Sequence, residues 1–277
     1  MNDIAVSPPQ GDFISIDDVD VHYNEYGDDD GSAVIFIHGS GPGASGHSNF
    51  KGNIRCFVEA GYRVVVPDMP GFGYSSKPVD RDYTTDFFSE ALVGLIQGLG
   101  ISQCALIGNS LGGAISIRTA LDHPKLISKL VLMAPGGIED LDTYMAMPAM
   151  AKMISNFVDG ALDRNGLRSV LTTLVYDAVH VTDDLVEERW AILQNQPPEV
   201  LGRMIIPNME AELGNLQCPV LSFWGIDDEL LPASGGLKIT RVCKPSRNIE
   251  VAECGHWVMV EHQRMFNAVC LDFLVHD

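Results

Sequence analysis

The sequence predicts an α/β architecture: a mostly parallel sheet flanked by helices, with an inserted helical cap. Three observations carry this prediction. Short apolar runs of strand length recur along the chain, helix-like segments separate several of them, and one long stretch keeps helical spacing without a strand.

In chain order, a polar leader precedes residues 13–16 and 19–23, whose alternation reads as a hairpin with Asp17 and Asp18 at the turn. The runs 33–37, 63–66, 104–107, 130–133, 220–224 and 248–251 are largely apolar, as strands covered on both faces require. Helices are expected over 50–59, 85–99, 111–123 and 265–274, and strand alternating with helix implies parallel crossovers. From 137 to 209, Met, Leu, Ala and charged residues recur at helical spacing. The strand pattern resumes directly afterwards, which favours an insertion over a separate helical domain. The expected division is therefore a core over 1–136, a helical cap over 137–209 and the rest of the core over 210–277. Internal repeats and low-complexity segments are absent from the sequence.

The 277 residues include 37 Asp plus Glu against 18 Lys plus Arg, a formal charge of −19. Nucleic-acid binders and proteins held on anionic lipid both depend on basic residues, so neither partner is expected. No apolar run approaches the roughly 18 residues that cross a bilayer, and the first residues show no export signal. The six cysteines lack paired spacing and read as reduced thiols, consistent with a cytoplasmic location.

Gly108-Asn109-Ser110-Leu111-Gly112 fits the G-x-S-x-G pattern at the junction of an apolar strand and a helix. Such a turn is cramped, and flanking glycines let neighbouring backbone approach. A serine hydroxyl needs a base to take its proton, and the base needs an orienting carboxylate. Asp228 lies just past the apolar run 220–224, with Asp227 as the alternative. His256 follows the last strand in Cys254-Gly255-His256-Trp257 and is the best base among eight histidines, with His38 the main competitor. The loop His38-Gly39-Ser40-Gly41-Pro42-Gly43 directly follows the run 33–37, where donors for a developing oxyanion belong. Backbone N–H groups near Ser40 or Gly41 and at Leu111 are the candidates. A phosphate-binding loop is the competing reading, but no Gly-Lys-Ser/Thr follows.

These segments resemble the α/β-hydrolases that cleave carbon–carbon bonds in aromatic meta-cleavage products. The resemblance spans nearly the whole chain: His38-Gly-Ser-Gly-Pro-Gly-Ala44, Asp68-Met-Pro-Gly-Phe-Gly-Tyr-Ser75, Gly108-Asn-Ser-Leu-Gly-Gly113, and Cys254-Gly-His-Trp257 followed by Glu261-His262. It implies the α/β-hydrolase fold and a Ser110–Asp228–His256 triad. By the same resemblance Arg189, in Arg189-Trp190, pairs with the substrate carboxylate, a job that suits a planar guanidinium. Taken alone, Arg189 reads as a solvated helix charge. Asn49 and Asn109 match polar contacts to the dienoate end, and Trp257 matches an aromatic beside the base. Two departures touch the region assigned to the leaving group: Leu174 stands where aryl-accepting relatives often carry an aromatic, and residues 206–217 look shortened.

The implied reaction is hydrolysis of the C5–C6 bond of a 2-hydroxy-6-oxohexa-2,4-dienoate to 2-hydroxypenta-2,4-dienoate and a carboxylic acid. It calls for no metal or organic cofactor. The expected partners are a small anionic substrate and further copies of the chain, as a dimer or higher homo-oligomer. Two other readings remain at this point. One is a carboxylesterase with the same triad, and the other is a ligand-binding receptor on the same fold.

Overall fold

The computed structural model describes residues 11–150 and 162–276. Its main sheet has eight strands: β1 (Asp12–Ile16), β2 (Val19–Tyr26), β3 (Ser32–Ile37), β4 (Tyr62–Pro67), β6 (Cys104–Asn109), β7 (Ile127–Met133), β9 (Val220–Gly225) and β10 (Ser246–Val251). They lie in the order β1-β2-β4-β3-β6-β7-β9-β10. β2 runs antiparallel to both of its neighbours, and every other pairing in this sheet is parallel. The parallel strands are the continuous apolar runs of the sequence. β3, β6 and β9 are buried almost throughout because helices cover both faces of the sheet. A second, two-stranded pair joins β5 (Tyr83–Thr84) to β8 (Met204–Ile205).

The order also fixes where a ligand can sit. β3 lies between β4 and β6, so the chain leaves its carboxyl end in one direction and returns on the other side. Ligands of open α/β sheets bind at such a switch point, beyond the carboxyl ends of the strands. Register pairs Ile37 with Gly108, which sets the loop after β3 beside the turn after β6. At the next site along, Gly225 pairs with Val251, so the loops after β9 and β10 leave together.

Helices α1 (Gly46–Phe50), α2 (Ile54–Glu59), α3 (Thr85–Gly98) and α4 (Leu111–Asp122) precede β7, while α9 (Ser234–Val242), α10 (Val258–Glu261) and α11 (Gln263–His276) follow β9. The helix expected over 50–59 is two helices. Gly52 lies against the Gln263 side chain, and Asn53 turns inward to donate to Met259 O and Asn267 Oδ1, which breaks the helical course between them. α9 and α10 were not anticipated from periodicity.

Between β7 and β9 the chain forms α5 (Leu141–Met145), α6 (Arg164–Thr172), α7 (Asp183–Leu193) and α8 (Glu199–Gly202). Its two ends meet, because Met209 N donates to Gly137 O at 2.7 Å. Residues 151–161 of the expected cap lie outside the described residues. β8 falls within the stretch expected to lack strands. At two residues it carries no periodic signal, and it exists only because β5 supplies a partner. All six cysteines are free thiols, five of them buried. Among the described residues no helix is long and apolar enough to cross a membrane.

Candidate active site

Ser110 occupies the sharp turn between β6 and α4 with φ 55° and ψ −115°. L-residues rarely adopt this conformation, and it persists only where the surroundings over-determine it. The glycines explain how it fits. A Cβ at Gly112 would lie 2.1 Å from Ile37 O, and one at Gly108 would lie 2.3 Å from Gly112 O. Only bare backbone packs there, so the turn holds the serine at the head of α4.

Across the cleft, His256 Nδ1 lies 2.7 Å from Asp228 Oδ2, and both residues are buried. The other oxygen, Asp228 Oδ1, accepts from Leu230 N at 2.8 Å and Leu231 N at 3.0 Å. With both oxygens engaged, the carboxylate is fixed in place and holds the proton of His256 on Nδ1, leaving Nε2 as the basic nitrogen. Asp227 is exposed, and its Oδ2 accepts from Cys254 N at 3.4 Å. Of the two neighbours, Asp228 is the one in contact with His256. Asp228→Asn is expected to lower kcat about 10⁴-fold by favouring the wrong tautomer, and Asp227→Asn to change it less than about tenfold. Equal losses in steady-state kcat would undo this choice.

His38 has a different task. Its Nδ1 lies 2.8 Å from Gly39 O, and its Nε2 accepts from Met69 N at 3.0 Å. Full burial lowers its pKa, so it is a neutral strut under the loop that follows β3. That loop packs tightly on α7. Gly43 has φ +63°, and a Cβ on it would lie 2.1 Å from Arg189 O.

α7 begins at Thr182, whose side chain accepts from Leu185 N at 3.2 Å. Its buried face carries Leu185, Val186, Arg189 and Ile192. Arg189 is 1% exposed. It donates from Nη2 to Asn49 Oδ1 and from Nη1 to Pro42 O at 3.3 Å, and its guanidinium lies 4.8 Å from the Trp257 ring centroid. Arg189 Nε and Asn109 Oδ1 are buried without a hydrogen-bond partner. Among the described residues no carboxylate pairs with Arg189. Burial pushes its pKa down to about 10, which still leaves it charged at neutral pH.

Two lobes meet at Ser110. The smaller, about 70 Å³, is walled by Ser40, Gly41, Asn49, Asn109, Leu174, Arg189, His256 and Trp257, together with Gly39, Met150, Leu230 and Leu231. The larger, about 680 Å³, shares Ser40, Ser110, Met150 and Leu231 and includes Leu111. Every candidate from the sequence but Asp228 thus lines one lobe or the other; Leu111 lines only the larger, and Asp228 lies behind His256, lining neither. Leu174 walls the lobe that holds Arg189, whereas Ile206 from the shortened segment walls the larger one. The sequence reading missed Gly39, Leu230 and Leu231. Their adjacency to the His38 loop and to Asp228 was the available signal. Ser110 Oγ and His256 make no hydrogen bond among the described residues, although both line the same cavity.

The fold and the elbow define the class: residues 32–172 match the family described as the alpha/beta hydrolase fold. A 2-hydroxy-6-oxononadienedioate/2-hydroxy-6-oxononatrienedioate hydrolase of Comamonas testosteroni is 36% identical over 92% of this chain and 91% of its own. A 2-hydroxy-6-oxo-6-phenylhexa-2,4-dienoate hydrolase of Burkholderia cepacia is 35% identical with the same coverage. The meta-cleavage product hydrolase of Pseudomonas fluorescens IP01, solved with acetates, superposes with a TM-score of 0.83. It is 26% identical, over 95% of this chain and 97% of that one. The chain belongs to the α/β-hydrolases and, within them, to the meta-cleavage product hydrolases.

Proposed function

We propose that the protein hydrolyses the C5–C6 bond of a 2-hydroxy-6-oxohexa-2,4-dienoate through Ser110, His256 and Asp228. The observation that carries this reading is Arg189, a charged side chain 1% exposed and without a carboxylate partner among the described residues, on the wall it shares with Ser110 and His256. A buried cation is costly unless an anion meets it. A substrate carboxylate supplies that anion, whereas an uncharged ester leaves Arg189 unexplained. The acidic chain thereby encloses a small cationic pocket, and screening over about 8 Å at physiological salt keeps the outer field from dominating it.

In this mechanism Arg189 and Asn49 hold the carboxylate, with Asn109 facing the 2-hydroxyl end. The dienol first ketonises and gains a proton at C5, because the conjugated enol offers no sink for the electrons of the breaking bond. Ser110 attacks the C6 carbonyl as His256 takes its proton, and Asp228 steadies the imidazolium. Amides of Ser40 or Gly41 and of Leu111, at the first position of α4, surround the oxyanion. The C5–C6 bond then breaks with its electron pair delocalised into the dienolate. Water supplies the hydroxyl of the released acid.

The larger lobe takes the C6 substituent, with residues 137–209 acting as the cap over it. Its described lining includes Leu141, Tyr144, Met145 and Ile206, and its described charged groups are the carboxylates Glu139 and Asp140. Glu139 is paired with Lys238 at 2.7 Å, so Asp140 is the carboxylate that opposes a second anion there, and the apolar lining suits an apolar group. The test follows loss of the yellow dienoate and identifies the products. With a 6-phenyl substrate, benzoate and 2-hydroxypenta-2,4-dienoate are expected, with kcat/KM at least about tenfold above that for a nonadienedioate. Faster turnover of p-nitrophenyl esters than of any dienoate would instead favour the carboxylesterase reading.

A further inference from the structure

We propose that Glu261 is a positioning residue that locks the cap strap 174–177 to the loop carrying His256, so that cavity wall and base move as one piece. The proposal rests on the reading of His256 as the base. Glu261 ends α10, and both of its carboxylate oxygens are engaged with backbone. Oε1 accepts from Gly255 N at 2.8 Å, on the side of the base. Oε2 accepts from Tyr176 N at 2.6 Å and Asp177 N at 3.3 Å, on the side of the cap. In the opposite direction, His256 N donates to Leu174 O at 2.9 Å. The two segments lie in direct contact: a Cβ on Gly255 would sit 2.9 Å from Val175 C and 3.0 Å from both Leu174 O and Tyr176 N.

These amides belong to no helix or strand, so the carboxylate satisfies donors that secondary structure leaves over. An ionised carboxylate accepts on both oxygens, which is what two sets of facing N–H groups require. An amide would turn donors toward one set. The segments joined in this way also share a function-bearing surface, because the Leu174 side chain and His256 line the same cavity. Loosening the lock should therefore move a wall and a base together.

Glu261→Ala leaves three N–H donors around a hole of carboxylate size, a natural cradle for a small anion. The expected result is a kcat about 10- to 100-fold lower, with amide exchange rising in 174–177 and 254–257 together. Formate should reverse both changes while leaving the wild type unaffected. Exchange unchanged or raised in one segment alone, turnover within twofold of wild type, or no response to formate would each overturn the lock. If the alanine variant does not fold, Glu261→Gln decides: a several-fold lower kcat near the wild-type Tm supports the lock, and an unchanged kcat refutes it. Wild-type protein inactive on dienoates would remove the proposed function instead, and the exchange measurement would still judge the lock.

Discussion

Ser110→Ala is expected to lower kcat on the dienoate by about 10⁴-fold or more, the loss seen when the nucleophile of a serine triad is removed. The fold should survive the change. Ser110 Oγ caps nothing at the start of α4 and has no hydrogen-bond partner among the described residues. Its backbone already tolerates φ 55° because Gly108 and Gly112 admit the neighbouring chain. The variant should accordingly melt within a few degrees of wild type and still bind substrate, because Arg189 and Asn49 are untouched. Stopped-flow absorbance separates the two outcomes. Ketonisation without cleavage supports the assignment, and turnover above about a tenth of the wild-type rate contradicts it.

The second large effect is at Arg189. Arg189→Met removes a buried charge and keeps an unbranched side chain of comparable length. Losing a charge-assisted contact to a buried carboxylate costs about 3–4 kcal/mol, so the dissociation constant for the dienoate should rise about 10²- to 10³-fold. Stability should move the other way or stay level. The guanidinium has no carboxylate partner among the described residues, and burial pushes its pKa down to about 10. A pKa lowered in the folded state means the proton is held less well there than in the unfolded chain, so at neutral pH the charge opposes folding. That opposition fades only as pH rises past about 10. Replacing an isolated buried charge by an apolar side chain is often neutral or stabilising. Thermal melts with and without substrate test both halves: the bare variant should melt at or above wild type, and substrate should no longer raise its Tm.

Much of this architecture was legible in the chain because it rests on local signals. The runs that became β3, β6, β7 and β9 are apolar throughout their centres, and a strand covered on both faces leaves no other composition open. The elbow was legible for the same reason, since glycines flank a serine at a strand-to-helix junction. The sequence favoured Asp228 with Asp227 as its alternative, and the physical difference between them lies in the fold: adjacent residues on a loop point to different sides, and Asp228 is the one that meets His256. Arg189 lay between these cases. Read alone, it looked like a solvated charge, yet it shares the helical phase of Leu185, Val186 and Ile192. A charge on the apolar stripe of a helix was a readable sign of burial. β8, α9 and the Glu261 contacts were not readable, because each depends on a partner distant in the sequence.

The hydrogen bond from Met209 to Gly137 has an evolutionary consequence. A long excursion whose ends touch asks little of the sheet that hosts it, and closing a longer or shorter loop between the same two points changes chain entropy only slowly with length. The same excursion carries Arg189 and the strap 174–177 that bonds to the His256 loop, so its length is free to vary only away from those residues. Insertions or deletions that spare Arg189 and 174–177 are expected to reshape the larger lobe while Ser110, His256 and Asp228 keep their places.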